Sequence, residues 1–266
     1  MTLSYTPDLV MAWKGDRLRG KHAVVTGAGR GIGKGIAMLY AAQGARVIAS
    51  DINETALQQL QAEAKAAGLS FEAVVAADLT TEEGAASLAG EAAEKLETVH
   101  ILVNAAAIVV FAWLEDMRFA DWKKTLAGEL DTVFLVTRAC WPLMKPEGGS
   151  IVNFSSANAH VALDTSPALA HCAGKGGVLS MTRQLAMEGG RHGIRANTIA
   201  PGFTLTEETE RHLGNETMMS AVRSKLMIDR LGTPEDIGWL AVYLGSDEAR
   251  YVTGADISID GGATAW

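Results

Sequence analysis

The stretch Thr26-Gly27-Ala28-Gly29-Arg30-Gly31-Ile32-Gly33 decides the fold, because it joins a short apolar run to an amphipathic segment. The apolar run, Ala23-Val24-Val25, predicts a strand, and the segment after Gly33 predicts a helix. Glycines in such a loop let the backbone turn sharply and approach a pyrophosphate, whose charge then lies at the helix N-terminus. The sequence therefore predicts a dinucleotide site at this strand–loop–helix unit.

The second predicted strand ends on the residue that would contact the ribose. Asp51 closes the run Val47-Ile48-Ala49 and lies about 20 residues beyond the glycine loop, as this fingerprint requires. A carboxylate there accepts hydrogen bonds from both ribose hydroxyls and repels a 2′-phosphate, and the next residue, Ile52, is not a base. Arg30 is the one feature that favours NADP, and the alternative role of Asp51 is an N-cap for the helix after Asn53. We predict NAD as the cofactor.

Short apolar runs alternate with longer amphipathic stretches along the whole chain. The runs that predict strands are Val24-Val25, Val47-Ile48-Ala49, Val74-Val75-Ala76, Ile101-Leu102-Val103, Ile151-Val152-Asn153-Phe154, Ala196 to Ala200 and Ile257-Ser258-Ile259. Their continuous apolar character is typical of parallel strands that are covered on both faces. Helix start signals lie between them at Asn53, at Thr80 with Glu83, and at Thr233 before Pro234. We predict an α/β fold: a single doubly wound (Rossmann) domain with a seven-stranded parallel sheet flanked by helices.

The composition excludes several kinds of partner. The chain has 266 residues, 48% of them hydrophobic, and a net charge of −8. An acidic balance argues against nucleic acid and anionic membranes, and no apolar run approaches the ~18 residues of a membrane span. Two cysteines, Cys140 and Cys172, make no disulfide framework, and residues 1–20 lack the features of a signal peptide. We expect a cytoplasmic protein that acts on a small-molecule substrate.

One domain accounts for nearly all of the chain, since no linker or composition break divides it. We assign residues 18–266 to the dinucleotide-binding and catalytic domain. Residues 1–17 form an N-terminal extension for which the sequence indicates no role. Residues 205–228 mix apolar and charged side chains, which is typical of an adaptable loop that covers a substrate.

Several motifs, in order from Leu18 to Gly262, resemble those of the short-chain dehydrogenase/reductase family. They include the glycine loop, the segment Gly193-Ile194-Arg195-Ala196-Asn197 that leads to Pro201, and the C-terminal Asp260-Gly261-Gly262. The resemblance implies a dinucleotide-binding enzyme that is commonly a homotetramer. It also implies further cofactor contacts from Asp78, Leu79, Asn104, Ala105, Pro201, Gly202, Thr204 and Thr206.

The catalytic positions depart from the family pattern. The family's reaction uses a Ser, a Tyr and a Lys, and an Asn that holds a water chain. Ser156 corresponds to the Ser and Lys175 to the Lys, which binds the nicotinamide ribose, but His171 stands where the Tyr is expected. His171 and Lys175 lie one turn apart on a helix predicted over 169–189. An alignment on two aromatic residues places Glu129 at the Asn position.

A neutral imidazole can accept a proton from an alcohol. Lys175 disfavours a second positive charge nearby, so we expect His171 to be neutral at pH 7. The hypothesis is that His171 is a general base, Ser156 binds the reacting oxygen, and Glu129 orients the imidazole or relays its proton. Alternatively, His171 is a remnant without chemistry and Glu129 is a solvated helix residue. The residues predicted to line the substrate are Asn158, His160 and Phe203.

Three functions remain open at this point. The first is an NAD-dependent oxidoreductase that acts on a secondary alcohol or its ketone. The second is an NAD-dependent enzyme with another net reaction, such as an elimination, a dehalogenation or a transient oxidation. The third is an NAD-binding protein without catalysis, against which Ser156 and Lys175 argue because a binding site has no chemical need of them. No metal site is predicted.

Overall fold

The computed structural model describes residues 6–266, and at its centre lies one parallel sheet with the strand order β3-β2-β1-β4-β5-β6-β7. The strands are β1 (His22–Thr26), β2 (Arg46–Asp51), β3 (Ala73–Ala76), β4 (Ile101–Asn104), β5 (Gly149–Phe154), β6 (Ile194–Pro201) and β7 (Asp256–Ile259). Every apolar run that predicted a strand lies in this sheet. The predicted doubly wound fold is therefore confirmed.

Helices cover both faces of the sheet. They are α1 (Pro7–Ala12), α2 (Gly31–Ala42), α3 (Glu54–Ala66), α4 (Glu82–Leu96), α5 (Phe119–Leu126), α6 (Thr132–Met144), α7 (Leu169–Gly190), α8 (Glu216–Ser224) and α9 (Pro234–Gly245). A π-helical turn, Ala127–Asp131, joins α5 to α6 without a break in the helical path. Within residues 6–266, no helix is both long enough and apolar enough to cross a membrane.

Two apolar layers hold the helices on the sheet. On one face, Leu39 of α2 and Ile237 of α9 pack in a fully buried cluster. On the other face, Leu88 of α4, Val136 of α6 and Cys140 of α6 form a second cluster. Burial raises the pKa of the Cys140 thiol to about 12, so this thiol is not a nucleophile near neutral pH. Because both faces are covered, the strands carry continuous apolar runs.

The observed N-caps of α3 and α4 agree with the sequence prediction in one case and not in the other. Asn53 caps α3 by accepting from the Ala56 amide, as predicted. The prediction that Thr80 with Glu83 caps α4 is wrong, because Thr81 is the N-cap. The Thr80 hydroxyl instead donates to the Asp78 carboxylate at 2.6 Å. Because the Thr80 hydroxyl is hydrogen-bonded to Asp78, two residues before it, the next residue, Thr81, caps the helix.

The strand order changes direction between β1 and β4, which opens a crevice at the carboxyl ends of these two strands. Thr26 ties the two loops together there, since its hydroxyl accepts from the amides of Ala105 and Ala106 at 3.1 Å each. Gly27 has a φ of +64°, and a Cβ on it would lie 2.8 Å from the Ala105 carbonyl oxygen. This close approach allows only glycine, and it places the glycine loop at the edge of the crevice.

The segment before β1 packs on the domain. Val10 is fully buried and Trp13 is 2% exposed. The Trp13 indole N–H donates to Glu235 at the start of α9 over 2.8 Å, and the Trp13 carbonyl accepts from the Gln43 side chain. Trp13 therefore joins the end of α2 to the start of α9.

We expect Trp13→Ala to lower the free energy of unfolding by about 3 kcal/mol, because it removes a buried aromatic side chain and leaves a cavity. Trp266→Ala is the matched control, since Trp266 is 67% exposed and its loss should change the free energy by about 0.5 kcal/mol at most. Urea unfolding followed by circular dichroism measures both. Equal midpoints for the two variants would contradict the packing role of Trp13.

Candidate active site

The glycine loop forms a cradle that fits a pyrophosphate. A Cβ on Gly33 would lie 2.1 Å from the Gly27 carbonyl oxygen, so the loop closes tightly over the start of α2. The Gly31 amide at this helix N-terminus donates to a Glu207 carboxylate oxygen at 3.0 Å. An anionic group thus already lies where the positive end of the helix dipole favours one. The phosphates of a dinucleotide fit the same position once Glu207 has moved away.

Sequence reasoning missed this acidic contact. It comes from the segment after β6, where Thr206 lies against Gly31 and Glu208 forms an ion pair with Arg30 at 3.4 Å. Both glutamates fall within the predicted covering loop, and their adjacency in the sequence was the available signal. The loop after β6 therefore reaches the loop after β1.

Asp51 lies at the edge of the same cradle. One of its carboxylate oxygens accepts from the Gly29 amide at 2.9 Å, and the other accepts from the Asn53 amide at 2.9 Å. Because the Asn53 side chain caps α3, Asp51 is not the N-cap that the alternative interpretation required. Ile52 is largely exposed beside it. The carboxylate is held in place by two backbone donors next to the loop.

The other residues predicted to contact the cofactor lie at the carboxyl ends of β3, β4 and β6. Asp78 is exposed and Leu79 is buried after β3. Asn104 ends β4, and its side-chain amide is directed into the protein, where it donates to Thr137 and Asn153. The Asn104 side chain therefore makes its hydrogen bonds inside the protein, and the backbone that follows it faces the glycine loop.

The turn after β6 completes this edge of the sheet. The Gly202 amide donates to the Ile259 carbonyl, which anchors the start of the loop to β7. Thr204 is buried, and its hydroxyl donates to the Gly202 carbonyl at 3.2 Å. Pro201 ends β6 immediately before this turn. The predicted cofactor residues therefore share one edge of the sheet.

Ser156 follows β5 at the same edge. Its Oγ accepts from the Asn158 amide at 3.2 Å and lies 3.3 Å from Nε2 of His171. His171 is in the first turn of α7, and Lys175 is one turn further along. The helix therefore brings the two residues to one face, as predicted, and it places the imidazole against the serine hydroxyl.

Glu129 completes the contact on the other side of the imidazole. Its Oε1 lies 2.7 Å from Nδ1 of His171, and its side chain is 1% exposed. An ionised carboxylate can only accept, so Nδ1 of His171 carries a proton and donates it to Glu129. In the neutral ring Nε2 is then an acceptor, and the Ser156 hydroxyl donates to it. Glu129 is not a solvated residue on a helix face.

The π-helical turn is what directs Glu129 inward. The Gly128 carbonyl accepts from the Ile108 amide at 3.3 Å, and a Cβ on Gly128 would lie 2.6 Å from the Ile108 carbonyl oxygen. The loop after β4 therefore packs directly on the turn. Such turns inside helices are common at functional sites because they redirect one side chain.

Lys175 lies close to the same carboxylate. It is 8% exposed, and its Nζ is 3.7 Å from Oε1 of Glu129. The expectation of a neutral His171 considered Lys175 alone. The structure adds the Glu129 carboxylate, which lies beside both groups and within hydrogen-bond distance of the imidazole.

A second polar cluster lies beside the residue that precedes Ser156. Asp256, at the start of β7, accepts from Ser155 at 2.6 Å and from Thr198 at 2.5 Å, and its other oxygen lies 2.5 Å from Nε2 of His160. His160, which was predicted to line the substrate, is therefore paired with a carboxylate. Ser155 is directed away from His171, so Ser156 is the serine of the site.

An aromatic side chain borders the imidazole. The Phe111 ring centre lies 5.7 Å from that of His171, and Phe111 is 40% exposed. Phe111 was not predicted as a site residue, because no motif in the sequence includes it. The site thus combines a polar chain of three side chains with an apolar border.

Comparison with known proteins finds relatives that match nearly the whole chain. The model of the enoyl-(acyl carrier protein) reductase family matches residues 27–264. The chain is 38% identical to the D-threitol dehydrogenase of Mycolicibacterium smegmatis, in an alignment that covers 93% of this chain and 94% of that protein. It is 36% identical to the NADP-dependent (R)-specific alcohol dehydrogenase of Lentilactobacillus kefiri, over 94% and 99% of the two chains.

A solved structure is also similar over nearly the whole chain. The crystal structure of a short-chain type dehydrogenase/reductase from Mycobacterium marinum superposes with a TM-score of 0.88 at 30% identity, and covers 96% of this chain and 98% of that one. The chain belongs to the short-chain dehydrogenase/reductase family. It is therefore an oxidoreductase of a family that typically binds a nicotinamide cofactor, either NAD or NADP.

Two glycines of α7 provide a test of how Glu129 is held. Glu129 Oε2 is buried without a hydrogen-bond partner among residues 6–266, and a Cβ on Gly174 would lie 2.8 Å from it. We expect Gly174→Ala to push the carboxylate away from His171 and to lower the free energy of unfolding by about 1–3 kcal/mol.

Gly176→Ala is the matched control, because a Cβ there meets no atom of the described residues within 4 Å. This variant should be more stable than the parent chain by roughly 0.5–1 kcal/mol, since alanine favours the helix. Urea unfolding measures both changes. A stabilised Gly174→Ala variant would show that Glu129 is not held as described.

Proposed function

We propose that the chain is an NAD-dependent oxidoreductase that acts on a secondary alcohol or its ketone through an atypical Ser-His-Lys site with Glu129. The observation that carries the proposal is the hydrogen-bonded chain from Ser156 through His171 to Glu129. A substrate hydroxyl beside Ser156 Oγ and His171 Nε2 meets one donor and one acceptor. That is what the loss of a proton from an alcohol requires.

Each side chain has a distinct task in this mechanism. Ser156 binds the reacting oxygen, and His171 Nε2 takes up the hydroxyl proton during oxidation. Glu129 fixes the imidazole tautomer and stabilises the cation that forms, which a buried carboxylate does strongly. In the reverse direction the protonated His171 returns the proton to the ketone oxygen. When bound, the nicotinamide would supply the hydride transfer to or from the substrate carbon.

The cofactor would be held by residues at the carboxyl ends of five strands, β1, β2, β3, β4 and β6, and by one residue of α7. The glycine loop Gly27–Gly33, with the Gly31 amide, takes the pyrophosphate, and Asp51 with Ile52 borders the adenosine ribose. Lys175 binds the nicotinamide ribose. The remaining contacts come from Asp78, Leu79, Asn104, Ala105, Pro201, Gly202, Thr204 and Thr206.

Two observations support NAD rather than NADP. The Asp51 carboxylate is held beside the glycine loop by the Gly29 amide, and a carboxylate there would repel a 2′-phosphate on the ribose. Arg30, the side chain that favours NADP, is paired with Glu208 at 3.4 Å. The guanidinium is therefore partly neutralised, and the local charge is negative.

The alternative of a binding protein without catalysis has little physical support. A carboxylate, an imidazole and an ammonium group are brought together at the edge of the core, where burial of charge is unfavourable. A protein that only binds NAD has no need of this cluster. The alternative of another net reaction uses the same groups, and product analysis distinguishes it.

The remaining assignments stay predictions. Residues 205–228 are proposed to cover the substrate, and Asn158, His160 and Phe203 to border it. A homotetramer is proposed from the family resemblance, and a cytoplasmic location from the cysteine content and the character of residues 1–20. The exposed aromatic rings of Phe119 and Phe134 on α5 and α6 are consistent with a helix-pair interface.

We expect NAD to raise the melting temperature at lower concentration than NADP does, because binding to the folded state stabilises it. Asp51→Asn should weaken NAD and strengthen NADP by about tenfold each, since it removes the charge that favours ribose hydroxyls over a phosphate. Glu54→Gln, an exposed acid three residues away, is the control and should change neither. A thermal-shift titration measures all three chains, and a parent chain that prefers NADP would contradict the assignment.

Oxidation of secondary alcohols, followed by NADH absorbance, tests the catalytic role. We expect His171→Ala to lower kcat by about 10²–10⁴-fold, the contribution of a general base, with little change in NAD affinity. His192→Ala is the control, because His192 contacts Trp141 at the opposite end of α7. Retention of most activity by His171→Ala would refute the base assignment. Consumption of substrate without net NADH would select the alternative net reaction.

A further inference from the structure

The order of groups in the site has a chemical consequence beyond alcohol oxidation. Ser156 Oγ lies 3.3 Å from His171 Nε2, and His171 Nδ1 lies 2.7 Å from Glu129 Oε1. A hydroxyl, an imidazole and a buried carboxylate in this order are what a serine needs to become a nucleophile. The carboxylate sets the tautomer, so that the Nε2 lone pair faces the hydroxyl proton.

We propose that Ser156 is also an acyl-accepting nucleophile, and that the chain hydrolyses esters of short carboxylic acids in the absence of any nucleotide. Ser156 Oγ attacks the ester carbonyl carbon as its proton passes to His171 Nε2. The bond to the leaving alcohol breaks, and His171 returns the proton to that alcohol. Water then attacks the acyl-serine and gives a proton to His171, the acid departs, and Ser156 regains its proton. No group is oxidised or reduced.

The surroundings of the three groups favour these proton transfers. Glu129 is almost completely buried, so its charge acts on the imidazolium with little screening by water. Lys175 lies 3.7 Å from the same carboxylate and offsets the burial of its charge. The Asn158 amide donates to Ser156 Oγ at 3.2 Å, which holds the hydroxyl oxygen in place beside the imidazole.

The border of the site indicates the kind of ester. The Phe111 ring lies against that of His171 and is partly exposed. The leaving alcohol must come close to His171 in order to receive its proton. An aromatic leaving group therefore fits better than a charged one, and p-nitrophenyl acetate is a suitable probe.

The neighbouring serine provides a matched control. The Ser155 hydroxyl donates to Asp256 at 2.6 Å, and it lies in the same turn as Ser156. The acceptors of this hydroxyl are the Asp256 carboxylate and the Ile199 carbonyl, and no imidazole nitrogen accepts from it. Ser155 is therefore not activated, although its chemical type and its position in the chain are nearly the same.

The test follows p-nitrophenolate release without nucleotide. We expect Ser156→Ala and His171→Ala to hydrolyse the ester about 10²-fold more slowly than the parent chain, because nucleophile and base act together. Glu129→Gln should lie between them and the parent, and Ser155→Ala should match the parent. Circular dichroism confirms that each variant is folded.

A second measurement needs no variant. The parent chain is treated with p-nitrophenyl acetate or a fluorophosphonate, quenched and digested, and mass spectrometry locates the modified residue. We expect the acetyl or phosphonyl group on Ser156. Equal hydrolysis by Ser156→Ala, or modification confined to lysines, would overturn the inference.

The inference and the proposed function fail separately, because one assay needs nucleotide and the other excludes it. A chain that oxidises alcohols through His171 but leaves Ser156 unmodified contradicts only the acyl transfer. A chain that acylates Ser156 but never reduces NAD contradicts only the dehydrogenase.

Discussion

The contact between Glu129 and His171 is the interaction on which the rest of the site depends. A carboxylate that is 1% exposed is strongly unfavourable unless it is paired and hydrogen-bonded. The imidazole N–H supplies the hydrogen bond, and Lys175 supplies the compensating charge at 3.7 Å. The two side chains, each proposed from the sequence for a catalytic position, are therefore complementary. Without His171 the buried carboxylate would lose its hydrogen-bond donor, and without Glu129 the imidazole N–H would lose its acceptor.

The backbone around Glu129 holds that pair in place. The π-helical turn Ala127–Asp131 directs Glu129 inward, and Gly174 leaves the room that its carboxylate occupies. The loop after β4 packs on the turn through Ile108. The site is thus assembled from β5, α7 and the helix that joins α5 to α6, with the parallel sheet setting their common edge.

Much of the fold could be predicted because it follows local rules. Continuous apolar runs marked every strand, and the cap at Asn53 followed from its residue type. The cap of α4 was misplaced by one residue, because the choice between Thr80 and Thr81 depends on which hydroxyl Asp78 captures. In the site, the alignment found Glu129 and His171, but it could not show that they touch.

Periodicity, spacing and residue type are enough to predict the doubly wound fold, the glycine loop and the residues proposed for catalysis. Which of those residues touch depends on how distant segments pack. Three contacts join residues from distant parts of the chain. Glu129 meets His171 and sets its tautomer, His160 pairs with Asp256, and Glu207 accepts from the Gly31 amide. Burial and hydrogen bonding between such residues depend on how the loops at one edge of the sheet pack together, and no local pattern encodes that packing.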